Sequence, residues 1–419
     1  MAVIIAVVVT AAVVLILVTL APEERRIEYR IGHCYGIHDP QFTQAMGVLL
    51  GPPLVPGNRV EPLQNGDEIF PAMLDAIRRA EQTICFETYI YWSGDIGREF
   101  AHALAERARH GVRVHVLLDW IGTGRLDPAS LDLMRDAGVE IEKYHKPRWY
   151  NFARMNNRTH RKILVVDGRV GFTGGVGIAD EWLGHAQDPE HWRDVHFRVE
   201  GPAVSQMQAT FLDNWMQTRG EVLHDTPYFP VLEPAGDKVA QMFRSGPDEG
   251  SESVRLMYLL AIAASERSIR LMNSYFVPDS LAIQTFVEAR ERGVDIEIIV
   301  PGGRIDAHVT RRASRSLWEP LLESGVRIHE YRPTMMHAKV MIIDGLWVSV
   351  GSTNFDSRSF RLNDEANLNV CDAGLAESLE RMFARDLARS DQVTLEQWRK
   401  RPLGDKLKER AAGLFRGQL

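Results

Sequence analysis

The feature that most constrains this chain is that it is written twice. Residues 159–175 read THRKILVVDGRVGFTGG and residues 336–352 read MHAKVMIIDGLWVSVGS. His337, Asp344 and Gly351 each follow His160, Asp167 and Gly174 by 177 residues. Upstream segments echo one another in the same order: Ala80–Tyr89 with Ala264–Tyr275, Gly111–Leu118 with Gly293–Val300, and Ala137–Ile141 with Ser324–Ile328. Helical patterns alternate with short apolar strands, which predicts α/β units around a largely parallel sheet. The period is too long for a solenoid unit and reads as duplication into two similar α/β domains. Two such halves meet across a pseudo-twofold axis, where corresponding residues can converge on one site. The expected layout is a transmembrane anchor at 1–21, a connector at 22–60, domains at 61–226 and 241–397 joined by a Pro-rich linker at 227–240, and a basic tail at 398–419.

The repeated block carries chemistry. Residues i and i+2 of a strand share a face, so His160 projects with Lys162 and His337 with Lys339. Imidazole can attack phosphorus or pass a proton near neutral pH, and an ammonium beside it stabilises charge on phosphate oxygens. Displacement on phosphorus needs a nucleophile on one side and an acid on the other. Two copies supply one complete site, and the scheme calls for neither metal nor cofactor. One His/Lys pair alone is as readily an ordinary surface pair; two in register are not.

Asp167 and Asp344 complete the motif as candidate catalytic residues. Each also opens an Asp-Gly pair between two apolar runs, the signal of a tight hairpin, and the corner role is at least as well supported by spacing. Asp194 and Glu365, each at the start of a later apolar stretch, are better placed to orient a histidine by holding its far nitrogen. Gly175 lies in a Gly-rich turn and Ser352 and Asn354 in its counterpart. Both turns open what read as helices, where phosphate binds well.

These residues resemble the phospholipase D superfamily, whose hallmark is the duplicated HKD motif, and within it the bacterial cardiolipin synthases. The likeness runs over most of residues 57–400 and includes Trp192-Arg193-Asp194 and the run from Gly351 to Ser359. It implies two similar phospholipase D-like domains, one site at their interface, a phosphohistidine intermediate and no metal. By that likeness His160 is the nucleophile and His337 the acid/base. Lys162, Lys339 and Asn354 hold phosphate oxygens, and Asp194 and Glu365 orient the histidines. One position departs: the family's first-half asparagine is Gly177 here.

Both ends of the chain point to lipid. Residues 1–21 carry no charge, and at about 1.5 Å per residue they can cross a bilayer core of about 30 Å. A cleaved signal would want a basic start and a small-x-small site, which are not evident. Arg25, Arg26 and Arg30 follow the run and nothing basic precedes it, which predicts a single-pass protein with its body in the cytoplasm; the resemblance implies that the membrane is the bacterial inner membrane. An insertion at 146–155 interleaves aromatic and basic residues beside the first motif, as suits anionic headgroups, though bases would stack there too. The tail from Trp398 has seven basic residues against two acidic, a net +5, so the rest of the chain carries −12 of the overall −7. Its Leu403, Leu407, Ala411, Leu414 and Phe415 recur at helical spacing. Three scattered cysteines build no disulfide framework or zinc site.

The expected activity is phosphatidyl transfer between phospholipids, giving cardiolipin from phosphatidylglycerol. Hydrolysis to phosphatidic acid is the close variant. A nucleic-acid phosphodiesterase is a rival that the net-acidic body and apolar N-terminus oppose, so no nucleic acid is expected. A non-catalytic phospholipid-binding membrane protein is a rival motivated by Gly177. The expected partners are phospholipid and membrane, with no obligatory protein partner.

Overall fold

A computed structural model of the chain describes Thr10 and residues 27–146, 156–247, 252–414 and 417–418. Strands Val55–Gln64 and Lys238–Ser245 pair antiparallel at the middle of one sheet. Outward from the first lie Val195–Glu200, Val170–Gly174, Ile163–Val166, Thr83–Thr88, Arg113–Asp119 and Glu140–Tyr144. Outward from the second lie Asn363–Cys371, Trp347–Gly351, Lys339–Ile343, Ser268–Asn273, Asp295–Pro301 and Arg327–Tyr331, with Ser390–Val393 added at that edge. The order is the same from the centre in either direction, as duplication of one unit produces.

The sheet is mixed, which corrects the expectation of a largely parallel one. Pairings are parallel among the outer strands, where helices make the crossovers. Toward the centre the strands run antiparallel, with a tight hairpin joining Ile163–Val166 to Val170–Gly174 and another joining Lys339–Ile343 to Trp347–Gly351. The Asp-Gly pairs make these corners. Asp167 and Gly168 have φ of 53° and 61°, Asp344 and Gly345 of 55° and 67°, the positive values that a type I′ turn requires at both central positions.

One face of the sheet is covered by the long helices Ala203–Arg219 and Ala373–Leu387, which share a core across both halves, from Phe211 and Trp215 to Leu379 and Phe383. The other face carries two separate cores. In the first half Asn65–Arg78 and Asp95–Arg109 cover it, and in the second Ser253–Ala264 and Ser280–Glu291 do.

The anchor expected at 1–21 lies outside the described residues apart from Thr10. Among the described residues no helix is long and apolar enough to cross a membrane. Most of the 146–155 insertion also lies outside them. Residues 22–60, read as a connector, hold a helix, Pro40–Leu50, that buries Phe42, Met46 and Leu50 in the second-half core. Strand Val55–Gln64 crosses the boundary drawn at residue 60, and Lys238–Ser245 crosses the one at 240. Short apolar stretches bounded by Pro and Gly hid both. The tail forms the helix Leu403–Gly413, but its inner face is Glu409 and Ala412, and the leucines face outward.

The ring of Phe42 packs edge-on to Trp347 at 6.0 Å and is 1% exposed. Phe42→Ala should therefore cost about 3–5 kcal/mol, read as a lowered denaturation midpoint. A change of a few tenths would show that this helix is not part of the core.

Candidate active site

Each motif histidine sits just before its motif strand, Ile163–Val166 or Lys339–Ile343, and is hung on the opposite half. The backbone N–H of His160 donates to the Asp364 carbonyl at 2.9 Å, and that of His337 to the Arg193 carbonyl at 2.7 Å. The next residue along in each case is the carboxylate that receives the imidazole. His160 Nδ1 lies 3.0 and 2.9 Å from the two oxygens of Glu365, and His337 Nδ1 lies 2.8 Å from Asp194 Oδ2. The pairing is crossed: the first-half histidine takes the second-half carboxylate, and the reverse. Strand register makes the carboxylates equivalent, because Gly174 pairs with His196 and Gly351 with Asn367.

All of these side chains are buried. Burial would raise the Glu365 carboxyl, but His160, Lys162 and the Ser352 hydroxyl outweigh it and hold it down at about 2. Burial likewise opposes His337 and Lys339 at Asp194, whose carboxyl ends below its usual range. Burial pushes His160 down to about 4 and lowers His337, with Lys339 adding to the effect there. Both carboxylates are thus ionised acceptors and both imidazoles neutral. Nδ1–H then donates to carboxylate; the Nε2 lone pair of His160 is left for chemistry, and that of His337 faces the Lys339 ammonium at 3.1 Å.

Lys162 Nζ donates to the His160 carbonyl at 2.7 Å. Lys339 Nζ donates to the His337 carbonyl at 2.6 Å and to Ser274 Oγ at 2.7 Å, and lies 3.1 Å from His337 Nε2. Burial lowers Lys162 to about 7 and Lys339 to about 8.

The remaining candidates fall on different sides of this arrangement. Asp167 and Asp344 do not reach it; they stand at the far ends of the motif strands. Asp167 accepts from the N–H groups of Glu81, Gln82 and Thr83 at 2.9, 2.7 and 2.8 Å. Asp344 accepts from Glu266, Arg267 and Ser268, each at 2.8 Å. They pin the start of the neighbouring strand, which corrects their inclusion among catalytic candidates. Gly175 donates its N–H to the Val195 carbonyl, and a Cβ there would lie 2.2 Å from Asp194 Oδ1. What it supplies is room for that carboxylate. Ser352, its counterpart, donates to Glu365 at 2.5 Å. Asn354 alone of the three keeps a buried oxygen with no partner.

Gly177 has a physical cause: a Cβ at this position would lie 2.8 Å from Ile90 Cβ. Ile90 fills the space that an asparagine would use. Sequence reading also missed the walls. Tyr89 lies 5.2 Å from the His160 ring and under Lys162, and Trp182 and Trp192 lie 5.3 and 5.5 Å from the His337 ring. Tyr89 and Ser274 stand near the ends of the repeated segments before the motifs, so the repeat itself was the available signal. Beneath His160, fully buried Arg161 bonds Asp213 at 3.1 Å and the Thr210 carbonyl at 2.9 Å. No pattern in the sequence announced that.

Comparison with known proteins identifies the family. A family model described as cardiolipin synthase, PLD-like domain, matches residues 73–215 and 258–387. The cardiolipin synthase of Geobacillus kaustophilus is 34% identical over 402 residues, spanning 94% of this chain and 76% of that protein. This chain belongs to the PLD-like cardiolipin synthase family. A probable cardiolipin synthase of Bacillus subtilis is 36% identical over 365 residues, 86% of this chain and 72% of that one. The crystal structure of phosphatidylserine synthase from Haemophilus influenzae has the same fold, with a TM-score of 0.68 over 90% of this chain and 100% of that one at 14% identity.

Two substitutions test these placements. Gly177→Asn should destabilise the protein by about 1–3 kcal/mol, and adding Ile90→Ala should recover most of the loss in the same denaturation experiment. Asp344→Asn should also cost about 1–3 kcal/mol yet leave activity per folded molecule within severalfold. A thousandfold loss would return Asp344 to the chemistry.

Proposed function

We propose that this protein is a phosphatidyltransferase that makes cardiolipin from two molecules of phosphatidylglycerol, releasing glycerol. The observation that carries the reading is the crossed pair of carboxylate-held histidines, each with a buried lysine beside it. His160, gripped by both oxygens of Glu365, attacks phosphorus through Nε2. The P–N bond forms as the P–O bond to glycerol breaks, and His337, which takes a second proton at Nε2 when the anionic phosphodiester binds beside it, gives that proton to the departing oxygen. A headgroup hydroxyl of the second lipid then returns a proton to His337 and attacks phosphorus, forming the new P–O bond and freeing His160. Lys162, Lys339 and the side-chain NH2 of Asn354 donate to the phosphate oxygens; Asp194 stabilises His337 when it is imidazolium. Tyr89, Trp182 and Trp192 limit water beside the intermediate, which favours an alcohol acceptor over hydrolysis.

The same reading places the protein at the bacterial inner membrane, held by the uncharged run at 1–21 with its body on the cytoplasmic side. Support comes from the length of that run and the arginines that follow it.

Purified protein in phosphatidylglycerol vesicles, with no metal added, should yield cardiolipin and glycerol on chromatography. Phosphatidic acid as the main product would make it a hydrolase, and cleavage of DNA with no lipid turnover would overturn the reading. His160→Ala and His337→Ala should each lower turnover by more than about a thousandfold.

The lysines give a pH signature. An anionic phosphodiester favours their protonated forms, so it binds best below about pH 7 and KM climbs as pH rises through the Lys162 and Lys339 values of about 7 and 8. Lys339→Arg keeps its charge throughout and should flatten that climb. A KM independent of pH from 6 to 9 would remove the lysines from phosphate binding.

A further inference from the structure

The terminal helix Leu403–Gly413 is amphipathic in an unusual sense, because its apolar stripe faces away from the protein. Its inner side is fixed by Glu409, which pairs with Arg315 at 3.1 Å and Arg401 at 2.7 Å, and by buried Ala412. At about 100° per residue, Leu403, Leu407, Ala411 and Leu414 fall on the opposite side within about a quarter-turn. The three leucines are 77%, 68% and 83% exposed. Lys406 and Arg410 border the stripe on one side and Lys408 on the other. With Glu409 neutralised inward, the outward charge of the helix is net positive.

The position of the helix ties it to the active site. It packs against helix His308–Arg315, whose own Val309 is half exposed. Two residues before that helix, Asp306 accepts from the Tyr275 hydroxyl at 2.7 Å, and neighbouring Ser274 receives the bond from Lys339. Beyond the helix, Gln418 contacts Asn156 at 3.3 Å, and Asn156 holds Arg358 at 2.8 Å. Leu414 and Gly417 share a cleft with Ile27 and Glu28, so Ile27 lies beside the end of the stripe.

We propose that this outward stripe is an interfacial docking helix that inserts its leucines into an anionic phospholipid bilayer and presents the active-site rim to the lipid. Leucines flanked by snorkelling lysine and arginine match an acyl boundary beneath anionic headgroups. A second copy docking through the same helix would meet the same positive border and be repelled by it. Docking beside Ile27 lets the N-terminal run and the helix engage one membrane. The inference rests on the phosphatidyl-transfer reading.

Two measurements on the full chain test it. In a Cys34→Ser background, an environment-sensitive dye on Leu407→Cys should shift to the blue in vesicles of equal parts phosphatidylglycerol and phosphatidylcholine. A lipid-borne quencher at the headgroup boundary should quench it, while the same dye on His102→Cys should show neither change. A water-like signal at 407 overturns the proposal. So does a blue shift without quenching, which would mean that the N-terminal run or a second copy covers the helix. Changing Leu403, Leu407 and Leu414 together to Gln should lower turnover of phosphatidylglycerol vesicles by at least about fivefold, and leave turnover of a soluble short-chain phosphatidylglycerol unchanged. Unchanged vesicle turnover sinks the docking helix alone. Failure of the unaltered protein on both substrates sinks the transfer reading beneath it.

Discussion

The crossed bonds from each histidine to the carboxylate of the other half hold the site together. Neither half contains a finished catalytic unit: His160 lacks its acceptor without Glu365, and His337 lacks its own without Asp194. The backbone bonds from His160 to Asp364 and from His337 to Arg193 cross in the same way. Removing one partner from such a buried pair typically costs about 3–5 kcal/mol, because a charge is left unmatched. Catalytic geometry and the joining of the halves are therefore one constraint. The palindromic sheet, with Val55–Gln64 against Lys238–Ser245 at its centre, brings the two motif strands close enough to satisfy it.

A symmetric frame carries an asymmetric site. Gly175 makes room for the short Asp194, while Ser352 donates to the longer Glu365. Ile90 occupies the space beside Gly177 where the other half keeps Asn354. Arg161 is locked into a buried polar network, and its counterpart Ala338 is apolar. Such differences suit a reaction in which one histidine bonds phosphorus and the other carries a proton.

How much of this was legible in the sequence follows from the range of each interaction. The duplication and the His/Lys pairs are local in sequence, and the structure brings His160, Lys162, His337 and Lys339 together. The Asp-Gly corners were legible because positive φ at consecutive residues demands those residue types. Asp194 and Glu365 were found as candidates, but their crossing was not, since it depends on which edges of the halves meet. Helix Pro40–Leu50 escaped notice because its partners, Tyr258 and Trp347, lie hundreds of residues away. The parallel sheet was over-read: the α/β alternation holds for the outer strands and gives way to hairpins at the motifs. The outward turn of the tail leucines was invisible, because a helical stripe does not say which side of it the protein will cover.

The central claim is that one histidine bonds phosphorus while the other carries the proton, in a two-step exchange at a single shared site. The stereochemical course at phosphorus reads this directly, using phosphatidylglycerol made chiral there by isotopic or sulfur substitution. Each in-line displacement inverts phosphorus, so passage through a phosphohistidine predicts overall retention in the cardiolipin formed. Overall inversion would mean one direct displacement with both histidines acting only as acid and base, and would contradict the account.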